Sequence, residues 1–192
     1  PFASGVTAPG VYVYYATQTN TVTTCESLGD TVTLTINSAA PPIAPDVAVC
    51  FGLPVPPLTA TGTNIQWYDT TPALVFTGSP FATGETAVGT YTYTVTQTLL
   101  GCESPTDTAT LTINALPSPP LASNDTAICY GDPTPDLTAT GTNITWYDGL
   151  GNPVGTGSPF ASGVTAPNTY TFIATQTNTV TTCESLGDTV TL

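Results

Sequence analysis

The feature that most constrains this chain is that it repeats itself. The run LTATGTNIQWYD, from Leu58 to Asp69, returns with one change from Leu137 to Asp148, an offset of 79 residues. Cys50 and Cys129 share that offset, as do Pro80-Phe81 and Pro159-Phe160. At twice the offset the match tightens: residues 1–34 align without a gap on residues 159–192, with 29 of 34 positions identical. Self-similarity at a fixed period marks an architecture of stacked or strung units. Three units follow: 1–37 as the C-terminal half of one domain, 38–116 as a complete domain, and 117–192 as a second complete domain. The chain is expected to begin in mid-domain, in a parent that continues in both directions.

The junctions fit this division. Residues 37–45 and 114–122 are proline-rich and lack glycine. Such segments favour extended polyproline geometry and serve as semi-rigid spacers of roughly 3 Å per residue.

Within a unit the periodicity is two. In Thr90 to Gln97, Tyr91, Tyr93 and Val95 are predicted to face inward, with Thr92, Thr94 and Thr96 outward. In Thr106 to Asn114, Ala109, Leu111 and Ile113 take the inner face and Thr108, Thr110 and Thr112 the outer. Short strands broken by Pro and Gly at this spacing predict an all-β chain of tandem immunoglobulin-like β-sandwich domains. Trp67 and Trp146 read as core plugs. Tyr68 and Tyr147 alternate to the opposite face and are the candidates for surface recognition, for instance by stacking on sugar rings.

Composition narrows the function. The chain has no Lys, Arg or His against 13 carboxylates, a net charge of −13. A cationic surface is required to grip a phosphate backbone or anionic headgroups, so nucleic acid and membrane surfaces are excluded as partners. No apolar run of membrane-spanning length occurs, so no direct membrane insertion is expected. Most general acid–base chemistry falls to His, Lys or a tuned carboxylate, and near-identical repeats rarely each carry an active site; the chain is expected not to be an enzyme. Transition-metal sites need His or clustered thiolates. No cofactor is expected; calcium is the single candidate, through Asp125, Asp132 and Asp136, yet the preceding unit keeps only Asp46 in the matching stretch and no Asp-x-Asp-x-Asp loop occurs.

The five cysteines follow the repeat. Cys50 and Cys102 enclose 51 residues and Cys129 and Cys183 enclose 53. The expectation is a Cys50–Cys102 and a Cys129–Cys183 disulfide, each closing its own unit and adding roughly 4 kcal/mol by the loop-entropy argument. Cys25 matches Cys102 and Cys183, so its partner is expected upstream of Pro1. Disulfides imply an oxidising, extracytoplasmic destination, here extracellular or at the cell surface.

The ordered set VCFGLPVPPLTATG, WYD, TGSPFATG, GTYTYTVTQT, GCES and TATLTIN resembles the Ig-like repeats of large Bacteroidota surface proteins, associated with gliding-motility adhesins and type IX secretion. The resemblance implies a long surface adhesin or extracellular filament, with neighbouring repeats of the same chain as first partners and lateral copies or surface glycans as further ones. It also implies that the staple pins the start of each domain to its last hairpin. Asp-Thr followed by a small or aliphatic residue, at Thr31, Thr108, Thr126 and Thr189, looks like the O-glycosylation acceptor of that group and implies a glycoprotein. The expected function is a structural or adhesive stalk. Two alternatives stand beside it: a polysaccharide-binding module, and a filament subunit assembled by donor strands.

Overall fold

Threonine and β-branched alternation makes strands because each such side chain fits the pleat while its hydroxyl faces water. In the computed structural model, which describes all 192 residues (Pro1–Leu192), 41% of the chain is strand and none is helix. Residues 1–37 supply β1 (Gly10–Ala16) and β2 (Asp30–Ile36). Residues 38–116 supply β3 (Val47–Cys50), β4 (Gln66–Tyr68), β5 (Leu74–Thr77), β6 (Gly89–Thr96), β7 (Thr98–Leu99), β8 (Cys102–Glu103) and β9 (Asp107–Asn114). The rest supplies β10 (Leu121–Ala122), β11 (Ala139–Thr140), β12 (Ile144–Asp148), β13 (Pro153–Thr156), β14 (Thr171–Gln176) and β15 (Asp188–Thr191). The larger sheets run β3-β9-β6-β4-β5 and β13-β12-β14-β15; β1-β2, β7-β8 and β10-β11 form two-stranded ribbons. Several open sheets without a barrel are consistent with β-sandwich architecture.

By proximity the chain forms two compact units: Pro1–Val47 with Pro57–Thr83 and Tyr91–Leu111, and Ala48–Pro56 with Gly84–Thr90 and Thr112–Leu192. In the first, Leu58, Trp67, Val95, Ala109 and Leu111 are wholly buried. Trp67 pairs with Val95 across the sheet, donates its indole N–H to Gly78 O at 2.9 Å and lies 5.6 Å, centroid to centroid, from Phe81. In the second, Leu137, Ile144, Trp146, Phe172, Ala174 and Val190 form the core. Trp146 repeats the arrangement, with Gly157 O at 2.9 Å and Phe160 at 5.6 Å. Both tryptophans are core plugs, as their alternation predicted. Of the inner face expected from Tyr91, Tyr93, Val95, Ala109, Leu111 and Ile113, all are buried except Tyr91, which is half-buried. Thr96 departs from the outward set and is buried, because its hydroxyl is drawn to Glu103 at 3.0 Å.

The β1-β2 ribbon matches β14-β15 closely in sequence and differs from it in burial. Val32 is 59% exposed, whereas Val190, the same letter in the matching run, is 0% exposed. Ala16 and Cys25 are exposed while Ala174 and Cys183 are fully buried. In residues 117–192 this face is covered by the core residues from Leu137 to Trp146; the ribbon has no such cover.

The disulfide pairing corrects the sequence expectation. Neither Cys50–Cys102 nor Cys129–Cys183 forms; Cys50 is bonded to Cys183 (Cα–Cα 5.5 Å, 133 residues apart), and Cys25, Cys102 and Cys129 are free thiols. Strand direction is the reason. Thr110 N–H donates to the Asp46 carboxylate at 2.8 Å, ahead of β3, and Phe51 N–H, just past β3, donates to Asn114 O at 2.8 Å. β3 therefore runs the same way as β9. Cys50 comes to lie beside the end of β9, while Cys102 precedes its start. Seven steps of strand at about 3.4 Å each, roughly 24 Å, separate the two ends, against a Cα–Cα limit of about 7 Å for a disulfide. The same holds for Cys129 and Cys183: Thr126 N–H bonds Thr191 O at the far end of β15, and Cys183 precedes that strand. The bond thus pairs a cysteine of the sequence repeat 38–116 with one of the sequence repeat 117–192, and both lie within the second compact unit.

Candidate functional site

The hairpin that carries Cys183 is built by the backbone chemistry of Asn178. Its side-chain oxygen accepts the N–H groups of Val180 (2.8 Å) and Thr181 (3.0 Å), and its own N–H and C=O pair with Cys183 O and Thr182 N–H, both at 2.9 Å. Thr182 sits at φ 58°, a left-handed geometry in which such a loop can close. The hairpin of Cys25 copies it: Asn20 Oδ1 accepts from Val22 (2.9 Å) and Thr23 (3.1 Å), and Thr24 takes φ 55°. The Cys102 hairpin is shorter. Leu100 and Gly101 turn it with φ of 52° and 77°, the two positive values that a tight hairpin turn requires.

The residues after each cysteine clamp it. Glu184 Oε1 accepts the Tyr147 hydroxyl at 2.7 Å and the Thr175 hydroxyl; Glu103 Oε1 accepts Tyr68 at 3.3 Å and Thr96 at 3.0 Å. The Glu184 hydrogen bond, with lesser contributions from burial and the carboxylate charge, raises the Tyr147 phenol above its ordinary value of 10.0. Ser185 Oγ accepts Gln176 N–H at 2.9 Å and donates to Leu186 O at 2.8 Å, and Ser104 does the same for Gln97 and Pro105. Gln176 then reaches outward: its Oε1 accepts Thr142 N–H at 2.9 Å and its Nε2 donates to Ser118 O at 2.6 Å, within the proline-rich segment. Gln97 repeats this with Thr63 (2.9 Å) and Ala40 (2.8 Å). Each hairpin is therefore mounted at the entry to its own repeat, with the cysteine held on a fixed arm.

This clamp changes the reading of Tyr68 and Tyr147. Both are half-buried and their hydroxyls are committed to the hairpin glutamate. The glutamate, serine and glutamine were not singled out from sequence, although Cys-Glu-Ser and the preceding Gln-Thr stand in all three copies. The four candidate acceptors Thr31, Thr108, Thr126 and Thr189 are all exposed. Of the calcium candidates, Asp125 spends an oxygen on Thr191 N–H at 2.7 Å, as Asp46 does on Thr110, and no three His, Cys, Asp or Glu side chains gather where they could hold a metal ion.

Cys129 stands beside an open groove of about 1200 Å³, whose walls include Tyr130, Pro133, Val164, Pro167 and Tyr170 and whose charged side chains are Asp125 and Asp132. The groove offers hydroxyls and carboxylates, with no cation and no imidazole to activate a nucleophile. Comparison of the chain with protein-family models and with curated protein sequences returns no match.

Proposed function

We propose that this chain is part of the shaft of an extracellular repeat protein, a mechanical stalk or filament of Ig-like β-sandwich domains reinforced by a disulfide. The observation that carries the reading is the Cys50–Cys183 bond. A staple that closed one domain would add to that domain's stability. This one ties segments 133 residues apart in sequence, drawn from two repeats, inside a single compact unit, so neither segment can be drawn out of it while the bond holds. Such bonds persist in oxidising compartments, which supports a surface or extracellular location. The sequence resemblance to Bacteroidota surface repeats agrees with an adhesive stalk, and glycans on the exposed Thr31, Thr108, Thr126 or Thr189 would supply the hydration that so few charges leave wanting.

Pulling the chain by its ends tests the reading. The 133-residue span between the bonded cysteines is hidden from extension while the bond holds. Reduction is expected to release roughly 45 nm of added contour length, at about 3.4 Å per residue. Full contour length without reductant would exclude the staple and the shaft reading with it.

A further inference from the structure

The proline-rich segments expected from sequence to be spacers are sewn to the repeats that follow them. In repeat 38–116, Ala39 and Ala44 are buried. Gln97 Nε2 donates to Ala40 O at 2.8 Å. The Asp107 carboxylate, at the head of β9, accepts Ala44 N–H at 2.9 Å, and Asp46 answers by accepting Thr110 N–H at 2.8 Å. Repeat 117–192 makes the same three bonds: Gln176 to Ser118 O at 2.6 Å, Ala122 N–H to Asp188 at 2.9 Å and Thr191 N–H to Asp125 at 2.7 Å. Identical letters do not force the second set. Ala44-Pro45-Asp46 in the first repeat is Ala122-Ser123-Asn124-Asp125 in the second, one residue longer, yet the reciprocal pair of carboxylate bonds is made in both.

The sequence separations give the direction of the paired segments. Ala44 and Asp107 are 63 residues apart and Asp46 and Thr110 are 64 apart; Ala122 and Asp188, like Asp125 and Thr191, are 66 apart. A separation that holds steady along a pair means that both segments run the same way, as in a parallel ladder. When a repeat is drawn out by its ends, its entry segment is pulled back toward its start and its last strand forward toward its end. Side by side in the same sense, the two must slide past each other, and every bond between them bears the pull at once. Antiparallel neighbours would be peeled apart one bond at a time.

We propose that this seam carries the tension in each repeat, and that its strength lies in the paired aspartates, Asp46 with Asp107 and Asp125 with Asp188. The inference rests on the shaft reading, since a seam of this kind is used only by a chain under tension. Hydrogen bonds to an ionised acceptor are roughly twice as strong as neutral ones, and the chain holds no Lys, Arg or His to draw these carboxylates elsewhere.

The test is force-clamp stretching of the 192-residue chain held by its two ends. Reductant is present, because the closed Cys50–Cys183 bond takes the residues between the two cysteines out of the line of pull. Asp46→Ala with Asp125→Ala removes one carboxylate from each seam. Unfolding at a fixed load is expected to quicken by roughly tenfold or more, the factor that corresponds to losing a hydrogen bond to a charged group. The matched control is Asp69→Ala with Asp148→Ala. These carboxylates also accept backbone N–H groups, those of Thr71 and Ala73 at 2.8 and 3.0 Å and of Leu150 and Asn152 at 2.9 and 2.8 Å, but in turns away from the seam. The control should stay within about twofold of the parent under load, although urea unfolding registers both pairs of changes. Asp46→Asn with Asp125→Asn keeps an uncharged acceptor and should fall between the parent and the alanine pair, which supplies the comparison if the alanine pair does not fold. A seam variant that opens at the parent's rate, or a control that quickens as much as the seam variant, would overturn the proposal. The same molecule stretched before reduction separates the two readings. A hidden span together with indifferent seam variants sinks this inference alone, and a span that extends without reductant sinks the shaft.

Discussion

Removing either half of the staple should have the same effect, and removing the cysteines that sequence spacing had assigned as their partners should have almost none. The bond spans 133 residues, and closing a loop of that size lowers the entropy of the unfolded chain enough to add about 5 kcal/mol at most, with 2–4 kcal/mol the usual measured range. Cys50→Ala and Cys183→Ala are each expected to cost about 2–5 kcal/mol on that basis. The double variant should cost no more than either single one, because both delete one shared interaction and the coupling energy then equals the whole effect. Cys102→Ala and Cys129→Ala touch no bond and should stay within about 0.5 kcal/mol of the parent. Urea unfolding of the oxidised proteins, followed by the fluorescence of Trp67 and Trp146, measures all five. Reduction should bring the parent down to the level of the Cys50 variant. If Cys102→Ala destabilised as much as Cys50→Ala, or Cys129→Ala as much as Cys183→Ala, each repeat would be closed by its own cystine and the crossing staple would be wrong.

Trp146→Ala deletes a side chain with no exposed surface, its stack on Phe160 and its bond to Gly157 O; a loss of about 3–5 kcal/mol is expected by the same urea assay. Glu184→Gln should return the phenol titration of Tyr147, followed by ultraviolet absorbance, toward 10.0. Because the folded phenol titrates above its unfolded value, its contribution is complete below about pH 10 and is lost as the pH rises through the folded pKa; the variant should flatten that alkaline loss, and an unchanged profile would mean that the hydrogen bond is not made. Asp148 is held below its ordinary 3.8, first by the Asn152 side chain and then by backbone N–H groups of the turn. Its contribution is present above 3.8 and is lost as the pH falls through the depressed folded value, so Asp148→Asn should show a shallower acid decline in a pH series of thermal melts.

How much of this was readable beforehand differs between the strands and the staple. Burial of Leu111, Val95 and the two tryptophans follows from local alternation and side-chain size, which a sequence displays directly. The spacing of cysteines identifies which are equivalent, but a repeat is unchanged by translation along itself. Pairing within a unit and pairing with the next unit place equivalent cysteines at equivalent positions, so periodicity cannot choose between them. The choice is made by β3 running alongside β9 in the same sense, which carries Cys50 to the far end of its repeat; nothing in the letters Val-Ala-Val-Cys encodes that direction. The clamp was hidden for another reason. Glu184 looks like a solvated surface charge until Tyr147 and Thr175, distant or alternate in sequence, are brought to one oxygen.

Every carboxylate bond described above is to an N–H or a hydroxyl, since the chain contains no side-chain cation to pair with. Ordinary proteins lose attraction when salt is added, because ions shield their opposite charges along with their like ones. This one has only like charges to shield. Brine should therefore tighten the fold without loosening any part of it, and melting temperature should climb with sodium chloride from the most dilute buffer upward.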